Sequence, residues 1–143
     1  MLRFILLAPM SVMLLASVSP AASSGEIEVE LNNAIQKEQT CRLSFLVRNG
    51  LEMTIGDLGV EVVLLDDAGL ARDFMTLRTG RLPSGKRRVR QFDLPDVACA
   101  ELGEILINDV ADCQAEKEGE SLSPDRCLEA LRVQSRIAIG LGL

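Results

Sequence analysis

Cysteines at positions 41, 99, 113 and 127 are the residues of this chain with the most chemistry to offer, and their spacing narrows it. No two form a Cys-x-x-Cys pair, and the intervals fit no common zinc module. The chain has no His. The commonest zinc ligand is therefore missing, and so is the imidazole of Ser-His-Asp and Cys-His catalysis. Cysteines without a metal-binding pattern or a catalytic base read as structural disulfides, formed where thiols are oxidised. Three pairings are possible.

Two charged groups are the other candidates. Arg78, Arg81, Lys86, Arg87, Arg88 and Arg90 crowd positive charge into 13 residues of an acidic chain. Such a patch suits an anionic partner: lipid headgroups, phosphate or an acidic protein surface. Lys86, Arg87, Arg88 and Arg90 are the candidate contacts. The competing reading is an edge strand whose charges discourage aggregation. Strand geometry puts Arg88 and Arg90 on the side of Phe92, and Arg87 with Val89, so one set faces inward unless a bulge intervenes. Asp93, Asp96, Asn108, Asp109 and Asp112 are hard oxygen ligands of the kind calcium takes, but their spacing matches no EF-hand and Asp and Asn are ordinary turn residues. No metal and no cofactor is expected. There is no Trp or Tyr, hence no sugar-stacking platform for a carboxylate glycosidase. No Gly-rich phosphate loop follows a strand.

These groups must be positioned by strands. Residues 26–31 alternate, with Ile27, Val29 and Leu31 on one side. Residues 40–48 alternate again, with Cys41, Leu43, Phe45 and Val47 on one face, and Asn49-Gly50 ends the strand with turn chemistry. Residues 57–65 carry Leu58, Val60, Val62 and Leu64 on one face, and Asp66-Asp67-Ala68-Gly69 turns them into a strand over 70–78. A basic strand covers 86–92, and Pro95 breaks it. Residues 96–102 suit one helical turn carrying Cys99. Residues 104–107 make a short strand ending at Asn108-Asp109. Cys113 to Pro124 reads as a loop, Ser123-Pro124 as a helix start, and 131–139 as the last strand. About seven strands with one or two short helical turns predict an all-β sandwich of immunoglobulin or fibronectin-III character, stabilised by disulfides.

The N-terminus adds a compartment. Arg3, an uncharged apolar run over 4–18 and the small residues Ser19-Pro20-Ala21 read as a signal peptide over 1–21. The run is too short to span a bilayer comfortably, so no transmembrane segment is expected after cleavage. The mature chain is then one domain, 22–143. Without Arg3 it carries 14 Lys and Arg against 21 Asp and Glu, a net of −7. That balance argues against nucleic acid as a partner.

Val47-Arg48-Asn49-Gly50, the hairpin over 60–69 and Leu82-Pro83-Ser84-Gly85 resemble the small extracytoplasmic immunoglobulin-like domains of bacterial envelope proteins. Over nearly the whole mature length the chain also resembles a group of uncharacterised secreted proteins of alphaproteobacteria, sometimes labelled as carrying a Tat signal. That resemblance rests on Cys41, the segment Phe92 to Cys99, Ile105 to Val110, and Cys113 with Cys127. A Tat signal needs two adjacent arginines and only Arg3 is present, so Sec export fits better. The resemblance implies a fold and brings no activity, substrate or catalytic residue. By likeness to the inter-sheet bridge of immunoglobulin domains, Cys41 is expected to pair with Cys99, leaving Cys113 and Cys127 to close a polar loop.

Together these readings make the chain a non-catalytic, periplasmic or secreted binding module for an unknown envelope protein or anionic ligand. The alternatives are a carboxylate- or metal-dependent envelope enzyme, or a structural envelope component. N-terminal sequencing of the cell-envelope form should find a start within a few residues of Ala22. A cytosolic form that keeps Met1 would overturn the export reading.

Overall fold

The computed structural model describes residues 24–119 and 121–143, so the expected signal over 1–21 lies outside the described residues. Eight strands form two four-stranded sheets: β1 (Ile27–Lys37), β2 (Thr40–Asn49), β3 (Ile55–Asp66), β4 (Ala71–Arg78), β5 (Arg87–Pro95), β6 (Leu102–Ala115), β7 (Leu131–Ser135) and β8 (Gly140–Gly142). The first sheet has the order β5-β2-β1-β7 and the second β4-β3-β6-β8. Only β1–β7 and β6–β8 pair in parallel. A 3₁₀ turn at Cys99–Glu101 precedes β6, and a helix, α1 (Pro124–Ala130), precedes β7. No helix among the described residues is long and apolar enough to cross a membrane.

The alternating strands bury the faces their sequences predict. Cys41, Leu43, Phe45 and Val47 of β2 meet Leu58, Val60, Val62 and Leu64 of β3 across the sandwich, all buried. Phe45 and Phe92 pack edge to face, with centroids 5.8 Å apart. The rest of the core is aliphatic, with Ile27, Leu31, Ile55, Ile105 and Leu131 fully buried. Each such side chain contributes about 1.5–3 kcal/mol.

Four elements differ from the sequence reading. The sixth strand runs 14 residues, through Asn108-Asp109 to Ala115. Gly103, Asn108 and Ala111 bulge from its pairing with β3, and the latter two break the period that would have revealed it. Cys113 therefore sits in a strand rather than a loop. Pro95 ends β5 instead of breaking it earlier, which an edge strand tolerates. β1 continues to Lys37 past a bulge at Asn32. The last strand is split. β7 pairs with β1, residues 136–139 reverse direction, and β8 joins the other sheet. The Ser135 hydroxyl shapes that reversal: its one proton lies within reach of the Ile137 and Ile139 carbonyls, and its oxygen accepts from Ile137 N–H.

Asn49 does more than end a turn. It is fully buried and its side chain is satisfied: Nδ2 donates to the Met53 and Leu82 carbonyls at 2.9 Å each, and Oδ1 accepts from Leu51 N–H at 3.0 Å. Its backbone bonds Lys86 and Gly85, so this one residue docks the start of β5 against the end of β2. The neighbouring Gly50 is obligatory, because a Cβ there would stand 2.6 Å from the Glu26 carbonyl oxygen.

The cysteines pair as Cys41–Cys99 and Cys113–Cys127, the pairing expected. The first spans 58 residues and ties β2 of one sheet to the turn that opens β6 of the other. The second spans 14 and ties β6 to α1, whose cap is Ser123 Oγ accepting from Arg126 N–H. Both bridges belong to a compartment that oxidises thiols. Loop-closure entropy assigns upper-end values of about 4 kcal/mol to the long loop and about 3 kcal/mol to the short one. Replacing Cys41 and Cys99 by Ala should therefore lower the unfolding free energy more than replacing Cys113 and Cys127. Denaturant titration of the two double variants measures this, and the reverse order would show that the long bridge is not the main tie.

Candidate functional site

β5 carries the candidate contacts, and its place at the edge of the first sheet decides what each can do. It pairs with β2 without a bulge, so the two predicted faces hold along its length. Arg88, Arg90, Phe92 and Leu94 lie opposite Val47, Phe45, Leu43 and Cys41, on the core side. Leu94 is buried, but near the strand's start the core side opens at the rim of the sandwich. Arg90 reaches across that rim: Nε donates to the Thr79 carbonyl and Nη2 to that of Arg81, at 2.9 Å for the latter. It thus pins the β4–β5 connection and is half-buried. Arg88 is exposed and touches only the Arg87 carbonyl, at 2.9 Å. Lys86, Arg87 and Val89 are exposed, Arg87 and Val89 on the outer face. Three of the four candidate cations are therefore free to meet a partner, and Arg90 is a structural tie.

The other strand arginines are all neutralised. Arg42 grips Asp93 with two bonds of 2.6 and 2.7 Å, and Arg48 meets Glu28 at 2.9 Å. Arg72 pairs with Asp66 and Arg132 with Glu26, and Arg136, just past β7, pairs with Glu30. Arg78 crosses the second sheet to both Asp57 and Asp112, at 2.6 and 2.7 Å. Gly59 lies beneath that crossing, where a Cβ would stand 3.3 Å from the guanidinium. Arg81, in the loop after β4, holds Glu116. The hydrogen bonds from Arg42 and Arg81 hold the carboxyls of Asp93 and Glu116 below the usual carboxylate range. Exposed pairs of this kind add little stability. Their effect here is to cancel charge. Among the described residues, the strand arginines without a carboxylate partner are Arg87, Arg88 and Arg90, all on β5.

Arg87 also borders a groove of about 380 Å³ on the outer face of the first sheet. Arg48, Arg132 and Arg136 line it with Glu26, Glu28 and Glu30. Glu30 is the buried member, 8% exposed. It accepts from Asn32 and Gln134 at 2.8 Å each, and from Arg136 at 3.0 and 3.3 Å. These bonds join the β1 bulge to β7 and to the reversal after it. Sequence reasoning missed this lattice, although Glu26, Glu28 and Glu30 alternate into β1, where Glu28 lies opposite both Arg48 and Arg132.

The acidic group proposed from sequence is dispersed. Asp93 pairs with Arg42 on the first sheet and Asp112 with Arg78 on the second. Asp109 Oδ1 accepts from Val110 N–H. No group of three or more potential metal ligands gathers among the described residues. All four cysteines are bridged, and none is a free thiol.

The Glu30 carboxyl is held below its ordinary value, first by Asn32 and then by Arg136. A carboxyl lowered by folding stabilises the fold fully above the ordinary carboxylate range and loses that contribution as pH falls through the lowered value. Glu30→Gln should therefore lower the melting temperature at pH 7 and converge on the parent protein as pH falls through that lowered value. A difference that stays constant over that fall would mean the charge of Glu30 is not what holds β7.

No family model matches the chain, and no curated protein matches it. Among solved structures, IrmA from Escherichia coli is similar: 16% sequence identity, a TM-score of 0.56, and coverage of 76% of this chain and 91% of that one. At this identity the likeness shows the fold alone.

Proposed function

We propose that this chain is a non-catalytic binding module of the periplasm or extracellular space, and that it captures an anionic partner protein along the free edge of β5. The observation that carries the reading is the unneutralised charge. In a chain whose other strand arginines meet carboxylates, Arg87 and Arg88 stand exposed on an edge strand with none. An edge strand offers backbone donors and acceptors to an added strand, and free cations steer an acidic one toward it. Val89, 59% exposed, supplies an apolar contact beside Arg87 on the outer face. The paired cysteines suit an exported protein. The missing imidazole and the bridged thiols leave little for catalysis to use.

A photo-crosslinker placed at Val89, with one at Thr76 on the opposite sheet as control, tests this in the native envelope. The Val89 adduct should be specific, weaken with salt, and disappear in the Arg87→Glu/Arg88→Glu variant while the melting temperature is kept. An adduct of unchanged yield and salt sensitivity in the reversed protein would place the contact elsewhere.

A further inference from the structure

The two sheets carry opposite charge. The strands of the first hold seven Lys and Arg against three Asp and Glu, but Arg88 and Arg90 lie on the core side, which leaves its outer face a net of +2; the outer face of the second carries Arg78 against Asp57, Glu61, Glu104, Asp109 and Asp112, a net of −4. Each outer face also holds a like-charge pair in register: Arg48 opposite Arg87 on the first sheet, and Glu61 opposite Asp109 on the second. Like charges directly opposite are destabilising within one molecule. Arg48 has Glu28, but Arg87, Glu61 and Asp109 have no ion-pair partner among the described residues. Beside each pair lies apolar surface. Val89 is exposed opposite Leu46 on the first sheet. Phe74, 69% exposed, lies opposite Val63 on the second, with Leu106 in the same row.

We propose that these faces bind one another between copies: the outer face of the first sheet in one molecule docks on the outer face of the second sheet in the next. The occupant of each face is thus a second copy of this chain. The match is one of sign and of composition, since an apolar patch beside unneutralised Arg87 meets an apolar patch beside unneutralised carboxylates. The contact is heterologous, so copies add head to tail and the array grows unless its rotation closes a ring. It goes beyond the edge-capture reading, since the contact surface is a pair of sheet faces and β4, β3 and β6 take part.

Sedimentation of the mature, disulfide-bonded protein over a range of concentrations tests the proposal. In about 20 mM salt the mean mass should rise with concentration, and in about 300 mM salt the association should weaken at least about tenfold as screening shortens. Glu61→Lys and Arg87→Glu should each weaken it about tenfold. Mixing the two variants should restore one contact and so a 1:1 pair, because each keeps the face that the other has lost. Phe74→Ser removes a ring that is 69% exposed, and it should also weaken association while the melting temperature is kept. A parent protein that stays monomeric at low salt overturns the proposal, as do variants that associate like the parent, or a mixture that restores nothing. Glu61 and Phe74 lie on the second sheet, so edge capture at Val89 should survive their substitution. Loss of self-association with capture intact thus separates this proposal from the one before it.

Discussion

The bridge between Cys41 and Cys99 fastens one sheet of the sandwich to the other. Cys41 is fully buried in β2, which is flanked by strands on both sides, and Cys99 sits in the turn that launches β6 into the other sheet. The core between the sheets is aliphatic and modest, with Phe45 and Phe92 as its aromatic pair. A domain of this size gains little surplus from burial alone. Constraining a loop of 58 residues in the unfolded chain raises the cost of unfolding without asking more of that core.

At the opposite end of the sandwich the same task falls to hydrogen bonds. Asn49 lies in the last position of β2 and binds the connections on both sides, which sets where β5 begins. Arg90 then fastens the β4–β5 connection over the rim. Because Arg90 is used in this way, its neighbours Arg87 and Arg88 are displayed while it is not. The fold's own fastening thus separates displayed charge from structural charge within a run of four cations.

Ion pairs account for the rest of the electrostatics. Each exposed pair is weak in energy, but together they cancel most of the charge on both sheet faces. Among the described strand residues, the arginines left without a carboxylate lie on β5, and Glu61 and Asp109 face each other unpaired on the second sheet. Net charge, −6 over the full chain, conceals this separation, because positive and negative strands are segregated by topology and not by position along the sequence. Likeness of fold to IrmA is compatible with many uses of such a sandwich. The distribution of unneutralised charge is a property of this chain.

Local pattern carried much of the architecture. Period-two alternation marked the buried faces of β1, β2 and β3, because side-chain direction in a strand depends only on neighbours along the chain. The four cysteines and the absence of His narrowed the chemistry before any contact was known, since composition needs no geometry. The tertiary structure decided the rest. It made β5 an edge, tied Arg90 to two carbonyls, paired Arg42 with Asp93 across 51 residues, extended β6 through two bulges, and passed the final strand from one sheet to the other. Each of these depends on which distant segments meet and in what register. That choice is made by packing and long-range hydrogen bonding across the sheets, which local periodicity does not contain.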